Sequence, residues 1–369
     1  MSRYERPVSP TEWLYLAAER TMPPFAVQLV VEGEGRLDPA ALTRAVRVAS
    51  AACPGARLTR QGRVWVDTGQ APPVTVADGT SRWTDHASAP LERTCEVVAA
   101  EGGVLFRVSH TVMDGRGALT WIADVFRALR GEPPLGAPAA LTDYELVERL
   151  GTPGRRPRAS AGWRSPVEPA AARHWARRTI DGNHPGLVAK LAAAVAAFTG
   201  AGRSRFMVPV DLRRHDTAMR STANLSLPVF LAAGPDETWE TLHKQILRAL
   251  VERREVTGGA LERAAYRLPL GLLSRLLTVA GDRHLCSAIL SHLGRVDPAD
   301  FSTGGFQAST VFALPTHAPT APLSIVATAL PGHTELTVAH HGRPESAEAL
   351  LDAAEAALSP HRPRKISRA

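Results

Sequence analysis

One short segment of the sequence combines residue types that could carry out proton transfer. His110, Asp114 and Gly115 form the pattern H-x-x-x-D-G. The unperturbed pKa of a histidine side chain is about 6.5, so a neutral imidazole here could accept a proton as a general base at about pH 7. The aspartate cannot reach the same proton if the chain turns between the two residues, and we expect it to hold that turn through a salt bridge. Glycine permits the backbone angles of such a turn.

The sequence around this motif places it between a strand and a helix. Apolar residues alternate over 104–108, and period-two counting puts His110 on the same side of the strand as positions 104, 106 and 108. The strand breaks at the Asp-Gly pair. Beyond Gly117, apolar residues at helical spacing predict a helix that ends at Gly131. Taken alone, such a pattern is more often a turn with an incidental histidine than a catalytic site.

Hydrophobic periodicity predicts that strands and helices are mixed along the rest of the chain. In the first half it predicts a strand over 25–31, a helix that follows the N-cap Asp38, a strand over 63–66 and a short helical piece over 141–150. In the second half it predicts helices over 187–198, 239–250 and 347–358, and strands over 205–210, 226–231, 288–292, 310–314, 323–330 and 336–341. Pro331-Gly332 is typical of a hairpin turn between the last two strands. The pattern therefore predicts an α+β protein.

The length of the chain predicts two lobes. It has 369 residues, of which 44% are hydrophobic and 21% charged, as is typical of globular proteins. A single core stops growing at about 250 to 300 residues. A segment rich in Pro, Gly and Arg lies near the middle. The predicted division is an N-terminal lobe over 1–150 that carries the motif, a linker over 151–169, a C-terminal lobe over 170–358 and a basic, disordered tail over 359–369.

The basic net charge of +7 does not by itself indicate a nucleic-acid partner. Eight positive residues lie in two segments, and they are Arg155, Arg156, Arg158, Arg164, Arg362, Arg364, Lys365 and Arg368. These eight exceed the whole net charge, so the remainder of the chain is close to neutral. It also lacks an aromatic-rich basic face of the kind that follows a phosphate backbone. We therefore predict two solvated basic segments and no nucleic-acid binding.

Several other classes of protein are disfavoured because their sequence signatures are absent. The first ten residues contain no apolar run, and the longest apolar stretch, 191–198, is too short to span a membrane, which predicts a cytoplasmic protein. The three cysteines are widely spaced, which predicts buried thiols and no disulfide framework. His340 and His341 point to opposite faces of a strand, so no metal site is predicted. The G-x-S-x-G, P-loop and complete G-x-G-x-x-G motifs do not occur.

Ordered landmarks along most of the chain match one superfamily. The matching segments are SPTEW at 9–13, LDPAAL at 37–42 leading to Arg57, the motif region 104–131, VPVDLR at 208–213, Asn224 and SHLG at 291–294. With these landmarks the sequence resembles the chloramphenicol-acetyltransferase-like superfamily. That superfamily includes the condensation domains of nonribosomal peptide synthetases, polyketide-associated acyltransferases and alcohol acyltransferases.

The resemblance implies two lobes, each a mixed sheet packed with helices, with a tunnel between them. A thioester donor and a hydroxyl or amine acceptor would meet in this tunnel, where His110 would remove the proton of the acceptor. Asp114 would be structural and would pair with Arg213 across the lobes, and Asn224 would lie near the lobe interface. The donor would be an acyl-coenzyme A or a phosphopantetheine-linked acyl group on a carrier protein, with no permanently bound cofactor.

Two departures from the related patterns keep the function open. Many condensation domains have a second histidine just before the motif, where this sequence has Ser109, and the Asp-Phe-Gly-Trp-Gly motif of plant acyltransferases is absent. We expect a stand-alone acyltransferase of secondary metabolism that forms an ester or an amide. A carrier-dependent condensation enzyme that forms an amide and a catalytically silent scaffold protein stay as alternatives. A hydroxyl such as Ser291, Ser309 or Thr310 could stabilise a tetrahedral oxyanion, and the sequence does not choose among them.

Overall fold

Two mixed β-sheets form the framework of the protein, which we describe from a computed structural model over residues 3–78, 83–151, 163, 165–167, 169–200, 202–256, 260–280 and 284–359. The strands are β1 (Glu5–Pro7), β2 (Ala26–Gly35), β3 (Leu58–Gln61), β4 (Val64–Asp67), β5 (Val74–Val76), β6 (Cys95–Ala100), β7 (Gly103–Ser109), β8 (Pro169–Asp181), β9 (Ser204–Asp211), β10 (Ser226–Ala233), β11 (Ala288–Arg295), β12 (Phe306–Leu314), β13 (Leu323–Leu330) and β14 (His333–Gly342). The helices are α1 (Pro10–Thr21), α2 (Pro39–Ala52), α3 (Trp83–Ala87), α4 (Gly115–Leu129), α5 (Asp143–Leu150), α6 (Leu187–Thr199), α7 (Trp239–Val251), α8 (Ala260–Tyr266), α9 (Leu270–Ala280) and α10 (Pro344–Leu358). The predicted α+β class is confirmed.

Some sequence predictions fall on residues that the structure does not describe. Most of the predicted linker over 151–169 and nearly all of the basic tail over 359–369 lie outside the described residues. Both therefore stay predictions. Within the described ranges, no helix combines the length and the apolar character needed to cross a bilayer. The three thiols are buried, as predicted.

The first sheet has the strand order β12-β2-β7-β6-β5, and α2 and α4 cover one of its faces. Alternate residues of β7 point to opposite faces, as the period-two pattern predicts. Val104, Phe106 and Val108 pack in the core beneath the two helices, whereas Leu105 packs on the other face. The core on the helix side contains Trp121 of α4, whose ring makes an edge contact with the ring of Phe106 at a centroid distance of 5.7 Å. This core fixes the direction of β7 and hence the place where the motif leaves the sheet.

The helices on this face begin where side-chain caps allow them to. Asp38 accepts hydrogen bonds from the backbone N–H groups of Ala40 and Ala41, and Pro39 occupies the first helical position, as the sequence predicts. The helix of the motif region begins earlier than expected, at Gly115 instead of beyond Gly117. The reason is that Asp114 is itself the N-cap residue.

The second sheet has the order β10-β9-β11-β13-β14-β8. β11 runs parallel to both of its neighbours, and the remaining pairs are antiparallel. The predicted hairpin at Pro331-Gly332 is confirmed, because Leu330 pairs with His333 across the turn between β13 and β14. Helices α6, α7 and α10 supply apolar side chains to the core on one face of this sheet. The second half of the chain thus has its own core.

One strand of the second half belongs to the sheet of the first half. β12 pairs antiparallel with β2, with Phe306 opposite Gly35 and Leu314 opposite Gln28. The sheet that carries the motif is therefore completed from residues far away in sequence. The division of the chain into lobes at 150 and 170 stays a prediction. β12 belongs to the predicted C-terminal lobe by sequence, but it pairs within the sheet of the N-terminal half.

The longest strand, β8, is absent from the sequence prediction because its pattern is not apolar. Arginines stand at two of its successive positions, and each is neutralised by acids from other elements. Arg177 lies 2.8 Å from Glu32 and 2.9 Å from Glu335. Arg178 pairs with three acids of α10, which are Glu348, Asp352 and Glu355. These ion pairs depend on tertiary neighbours, which hydropathy along one segment does not report.

The two halves are in close contact at the beginning of α4. A Cβ atom on Gly117 would overlap the backbone carbonyl of Thr222, and one on Gly55 would overlap the Thr222 side chain. The backbone around residue 222 therefore sits directly against two glycines of the first half. Any side chain at Gly117 must push this loop away, since the obstacle is backbone.

We predict that Gly117→Ala lowers the free energy of unfolding by about 1 to 3 kcal/mol, because the added methyl group overpacks this contact. Urea denaturation measures the change. The control is Gly234→Ala, where an added Cβ meets no atom within 4 Å. Equal stability of the two variants would show that the contact between α4 and residue 222 is not close.

Candidate active site

A cavity of about 280 Å³, here called the inter-lobe cavity, lies between the first and second sheets. Its wall is built from α1, the start of β2, the motif after β7, β9 to β13, the segment 315–320 and single residues of α8 and α9. The lining is largely apolar and contains Leu14, Val27, Met207 and Phe230 among others. Among the described lining residues Glu262 is the one carboxylate, and none is a lysine or an arginine. His110 and Gly115 of the motif form part of this wall.

His110 directly follows the end of β7, the central strand of the first sheet. Its backbone N–H donates to the carbonyl oxygen of Phe25 at 2.9 Å, which extends the pairing of β7 with β2 by one residue. Its ring packs between two aromatic rings, with centroid distances of 4.7 Å to Tyr15 and 5.5 Å to Phe25. These walls limit the rotation of the imidazole. The ring therefore has a fixed position on the cavity wall.

The hydrogen bonds of His110 define which ring nitrogen carries the proton. Nδ1 lies 3.1 Å from the backbone oxygen of Met113 and 3.2 Å from Oδ1 of Asn224. Both partners are carbonyl oxygens, which only accept, so Nδ1 is the protonated nitrogen of the neutral ring. Nε2 is then the basic nitrogen. This tautomer is the one that a general base needs if its substrate approaches Nε2.

Asn224 is oriented by a buried carboxylate on α1. Its Nδ2 donates to Oε1 of Glu12 at 3.2 Å, and a carboxylate cannot donate, so Oδ1 must face His110. Glu12 also accepts from Nε1 of Trp65 at 3.0 Å and pairs with Arg6 at 2.8 Å. The side chains of Arg6 and Glu12 are each 1% exposed. A chain of polar contacts thus runs from Arg6 through Glu12 and Asn224 to the imidazole.

Arg6 and Glu12 are site residues that the sequence analysis missed. It used 9–13 only as a landmark of resemblance and predicted no helix there. The signal present is a capping box: Ser9 Oγ accepts from the N–H of Glu12 at 3.2 Å, while Oε2 of Glu12 accepts from the N–H of Ser9 at 3.1 Å. This signature could have located the start of α1. It could not have shown that the same carboxylate reaches Asn224.

Burial lowers the pKa of His110 below its usual value of about 6.5, because a charged imidazolium is poorly solvated there. The negative charge of Asp114 and the hydrogen bonds to Met113 and Asn224 act in the opposite direction without cancelling this effect. His110 is therefore neutral at about pH 7 and able to accept a proton.

The side chain of Asp114 accepts five hydrogen bonds. One oxygen accepts from the N–H of Gly117 at 2.7 Å and from Arg213 at 3.3 Å. The other accepts from Arg213 at 3.1 Å, from the N–H of Leu225 at 2.8 Å and from the hydroxyl of Ser226 at 3.0 Å. The structure thus brings Arg213 to Asp114 from the other half of the chain. The carboxylate has no oxygen left for a substrate.

The electrostatics of this pair favour the charged form of Asp114. Burial alone would raise the pKa of the carboxyl group, but the Arg213 guanidinium and the hydrogen bonds from Gly117 and Leu225 outweigh it, so the pKa is lowered. Arg213 is also bound to Asp211 at 2.8 Å and donates to the carbonyl of Ala223 at 2.7 Å. The pair therefore fixes residues 223–226 against the start of α4.

The three oxyanion candidates from the sequence lie in different places. Ser291 lines the inter-lobe cavity. Thr310 does not, because its hydroxyl donates to the buried carboxylate of Glu335 at 2.9 Å, where β12 packs against β14. Ser309 is exposed and donates to the carbonyl of Glu32 at 3.2 Å. Of the three, only Ser291 shares the lining of the inter-lobe cavity with His110.

We predict that Asp114→Ala lowers the free energy of unfolding by about 3 to 5 kcal/mol, because it leaves the Arg213 guanidinium and several N–H donors without their acceptor. Asp236→Ala, at an exposed position, is the control. Chemical denaturation at about pH 7 gives the difference. An equally stable Asp114→Ala protein would contradict a structural role.

The pH dependence of this contribution has a defined sign. Since the folded-state pKa of Asp114 is lowered, its contribution is present above the unfolded value of about 3.9 and is lost as the pH falls through the folded value. The stability difference between the natural protein and Asp114→Ala should therefore shrink in acid. A difference that does not change with pH would contradict the assigned charge state.

We predict that the ring of His110 titrates below about pH 6.5 and that its neutral form carries the proton on Nδ1. Nitrogen-15 NMR of the imidazole measures both properties. In Asn224→Ala the ring loses a contact that favours its charged form, so its pKa should fall further. A midpoint above about 6.5, or a proton on Nε2 of the neutral ring, would contradict the geometry.

Comparison with known proteins identifies the fold by structure and not by sequence. No protein-family model and no curated protein matches the chain. The condensation domain of the Monacolin K polyketide synthase MokA matches with a TM-score of 0.67 at 12% identity, covering 97% of each chain. The first condensation domain of the calcium-dependent antibiotic synthetase, solved with a substrate analogue, matches with a TM-score of 0.63 at 20% identity, covering 97% of this chain and 95% of that one.

A third matching structure is an X-domain instead of a condensation domain. The X-domain from teicoplanin biosynthesis, solved in complex with OxyB, has a TM-score of 0.55 at 16% identity and covers 97% of this chain and 93% of that one. All three matches extend over nearly the whole of both chains, and none exceeds 20% identity. This chain therefore has the condensation-domain fold, the fold of the chloramphenicol-acetyltransferase-like proteins that its sequence resembles.

Proposed function

We propose that this protein is an acyltransferase that moves an acyl group from a thioester to a hydroxyl or amine, with His110 as general base. The observation that carries the proposal is the fixed tautomer of His110. Its Nδ1–H is held by Met113 and Asn224, so Nε2 is free to take a proton on the wall of the inter-lobe cavity. The condensation-domain fold supports the same class of reaction.

The proposed step balances without a further reactant. The O–H or N–H proton of the acceptor passes to Nε2 of His110 as the acceptor atom attacks the thioester carbonyl carbon. The resulting tetrahedral intermediate collapses with cleavage of the C–S bond. The proton then passes from His110 to the departing sulfur, which leaves as a thiol. A positioned base of this kind contributes about 10² to 10⁴ in rate.

The tetrahedral oxyanion requires a hydrogen-bond donor or a positive dipole. Ser291 supplies a hydroxyl on the cavity wall, and Gly115 places the first turn of α4 on the same wall. Backbone N–H groups at a helix N-terminus carry partial positive charge. We therefore propose the hydroxyl of Ser291 and the N-terminus of α4 as the groups that stabilise the oxyanion.

The lining favours an uncharged, apolar acyl group. The described lining residues include no lysine or arginine that would neutralise a carboxylate or phosphate of the substrate. The phosphates of coenzyme A or of a phosphopantetheine arm would therefore stay outside the inter-lobe cavity, and only the thioester end would enter. Both donors present the same reactive group to His110.

Two alternatives are each favoured by one observation. A carrier-dependent condensation enzyme that forms an amide is favoured by the condensation domains among the matching structures. A catalytically silent binding protein is favoured by the X-domain, whose structure was solved as a complex with OxyB. The completely bonded Asp114 and the oriented His110 favour an enzyme over the silent protein.

We predict that a thioester donor raises the unfolding temperature. Thermal unfolding is measured with coenzyme A, with acyl-coenzyme A thioesters of increasing chain length and with the same acyl groups on a carrier protein. A ligand at 100 times its Kd stabilises the folded state by about 2.7 kcal/mol. A response to acyl-coenzyme A, or to the acylated carrier alone, decides between the two donors. No response to any thioester would support the silent protein instead.

We predict that His110→Ala loses turnover by at least about 10²-fold with the donor so identified, while its unfolding temperature stays close to that of the natural protein. The matched control is His243→Ala on α7, which is not part of the cavity wall. Full activity in His110→Ala would exclude the proposed base. A loss of activity in His243→Ala as well would indicate a general effect of histidine removal.

A further inference from the structure

A second cavity, built mostly from the first half of the chain, has no part in the proposed reaction. It has a volume of about 550 Å³ and lies beside the C-terminal half of α1, β3 and the segment 91–95, and we call it the arginine cavity. Ser109 and Thr111 form part of its wall, whereas His110 between them lines the inter-lobe cavity. The two cavities thus lie on opposite sides of the motif backbone and share no lining residue.

Four arginines from three segments surround this cavity: Arg20, Arg57, Arg60 and Arg93. Arg57 is neutralised by Asp67 at 2.5 Å. The other three form no ion pair with any residue that the structure describes. Arg60 donates to the carbonyl of Gly62 at 2.6 Å, and Arg93 donates to the side-chain oxygen of Gln70 at 2.7 Å.

The acids of the wall do not balance these charges. Two carboxyl groups, Glu19 and Glu92, belong to the lining, against three guanidinium groups without an ion pair. Burial raises the pKa of Glu19, and this effect is only partly offset by the hydroxyl of Ser109, which donates to it at 2.9 Å, and by the charge of Arg60. The cavity therefore keeps a net positive charge.

The remaining polar groups of the wall are neutral. Hydroxyls are present on Thr59, Thr68, Thr94, Ser109 and Thr111, and an amide on Gln70. Three of these hydroxyls already donate within the protein, from Thr68 to the carbonyl of Arg57, from Thr94 to the carbonyl of Leu58 and from Ser109 to Glu19. Guanidinium groups bind carboxylate and phosphate oxygens through charge-assisted hydrogen bonds, and hydroxyl groups complete such contacts. The volume lies within the range of about 300 to 1,000 Å³ that is usual for small-molecule sites.

We propose that the arginine cavity binds a compact, multiply charged anion that carries phosphate or carboxylate groups. The site is additional to the proposed reaction, since its lining includes no residue of the inter-lobe cavity. Arg20, Arg60 and Arg93 are the charged groups that hold the anion, and Thr59 supplies a hydroxyl that no described residue binds.

The position of this site connects it to His110. Ser109 and Thr111 flank His110 in the chain and their hydroxyl oxygens are 2.7 Å apart. Trp65 also lines the arginine cavity, and its indole N–H is bonded to Glu12, which orients Asn224. An anion bound in this cavity would therefore contact Ser109 and Thr111, which flank His110, and Trp65, which is bonded to Glu12.

Isothermal titration calorimetry tests the site with two probes, inorganic pyrophosphate and citrate. The natural protein is expected to bind at least one of them. A variant with Arg20→Ala, Arg60→Ala and Arg93→Ala is expected to bind that probe at least about tenfold more weakly, because its charge-assisted contacts are removed. The matched control removes the same number of charges elsewhere, through Arg44→Ala, Arg47→Ala and Arg248→Ala, and is expected to bind as the natural protein does.

The outcomes separate the proposal from its alternatives. Preference for pyrophosphate or for citrate identifies phosphate or carboxylate as the ligand group, and either supports the site. Equal weakening in both triple variants would overturn it, since binding would then follow net charge alone, and so would the absence of binding of both probes at millimolar concentration. His110→Ala should bind the probe normally, so a failure of the proposed acyl transfer leaves this result unaffected.

Discussion

The rest of the structure depends on the burial of one charge, the Asp114 carboxylate. A buried carboxylate is costly unless hydrogen-bond donors and an opposite charge surround it. Its donors come from the start of α4, from Arg213 and from residues 225 and 226, so the charge is compensated only when these segments converge. Glycine at 117 permits the close backbone approach that this convergence requires. The Asp114 carboxylate therefore fixes the position of residues 225 and 226 and of Arg213 relative to the motif.

A second buried carboxylate, that of Glu12, binds Asn224, which directly precedes the Leu225 held by Asp114. The side chain of Asn224 bonds to Glu12, and the N–H of Leu225 bonds to Asp114. Two consecutive residues of the second half are thus held between two carboxylates of the first half. Because Asn224 cannot turn its amide without losing a donor to Glu12, its oxygen stays on His110 Nδ1. The basic nitrogen of the imidazole is fixed by interactions that begin at Arg6, which lies outside the motif.

The same backbone that presents His110 to one cavity presents Ser109 and Thr111 to another. The inter-lobe cavity is mostly apolar and has no described lysine or arginine in its wall, whereas the arginine cavity is polar and positively charged. The alternation of side chains at the end of a strand explains how adjacent residues reach opposite sides. The separation has a chemical consequence, because an uncharged acyl group and a multivalent anion would each find a suitable wall without competing for it.

The sequence by itself determined the elements with regular periodicity and the residue types of the motif. The strand before His110, the helix after Asp38 and the hairpin at Pro331-Gly332 were predictable because period, cap and turn are local properties. Three features were decided by the tertiary structure alone. They are the formation of the arginine-rich strand β8, the pairing of β12 with the sheet of the first half, and the contact of Glu12 with Asn224. It also separated Ser291, which lines the cavity, from Thr310, whose hydroxyl is taken by Glu335. In each case the deciding group lies far away in the chain, and a local pattern contains no information about a distant charge or hydrogen-bond partner.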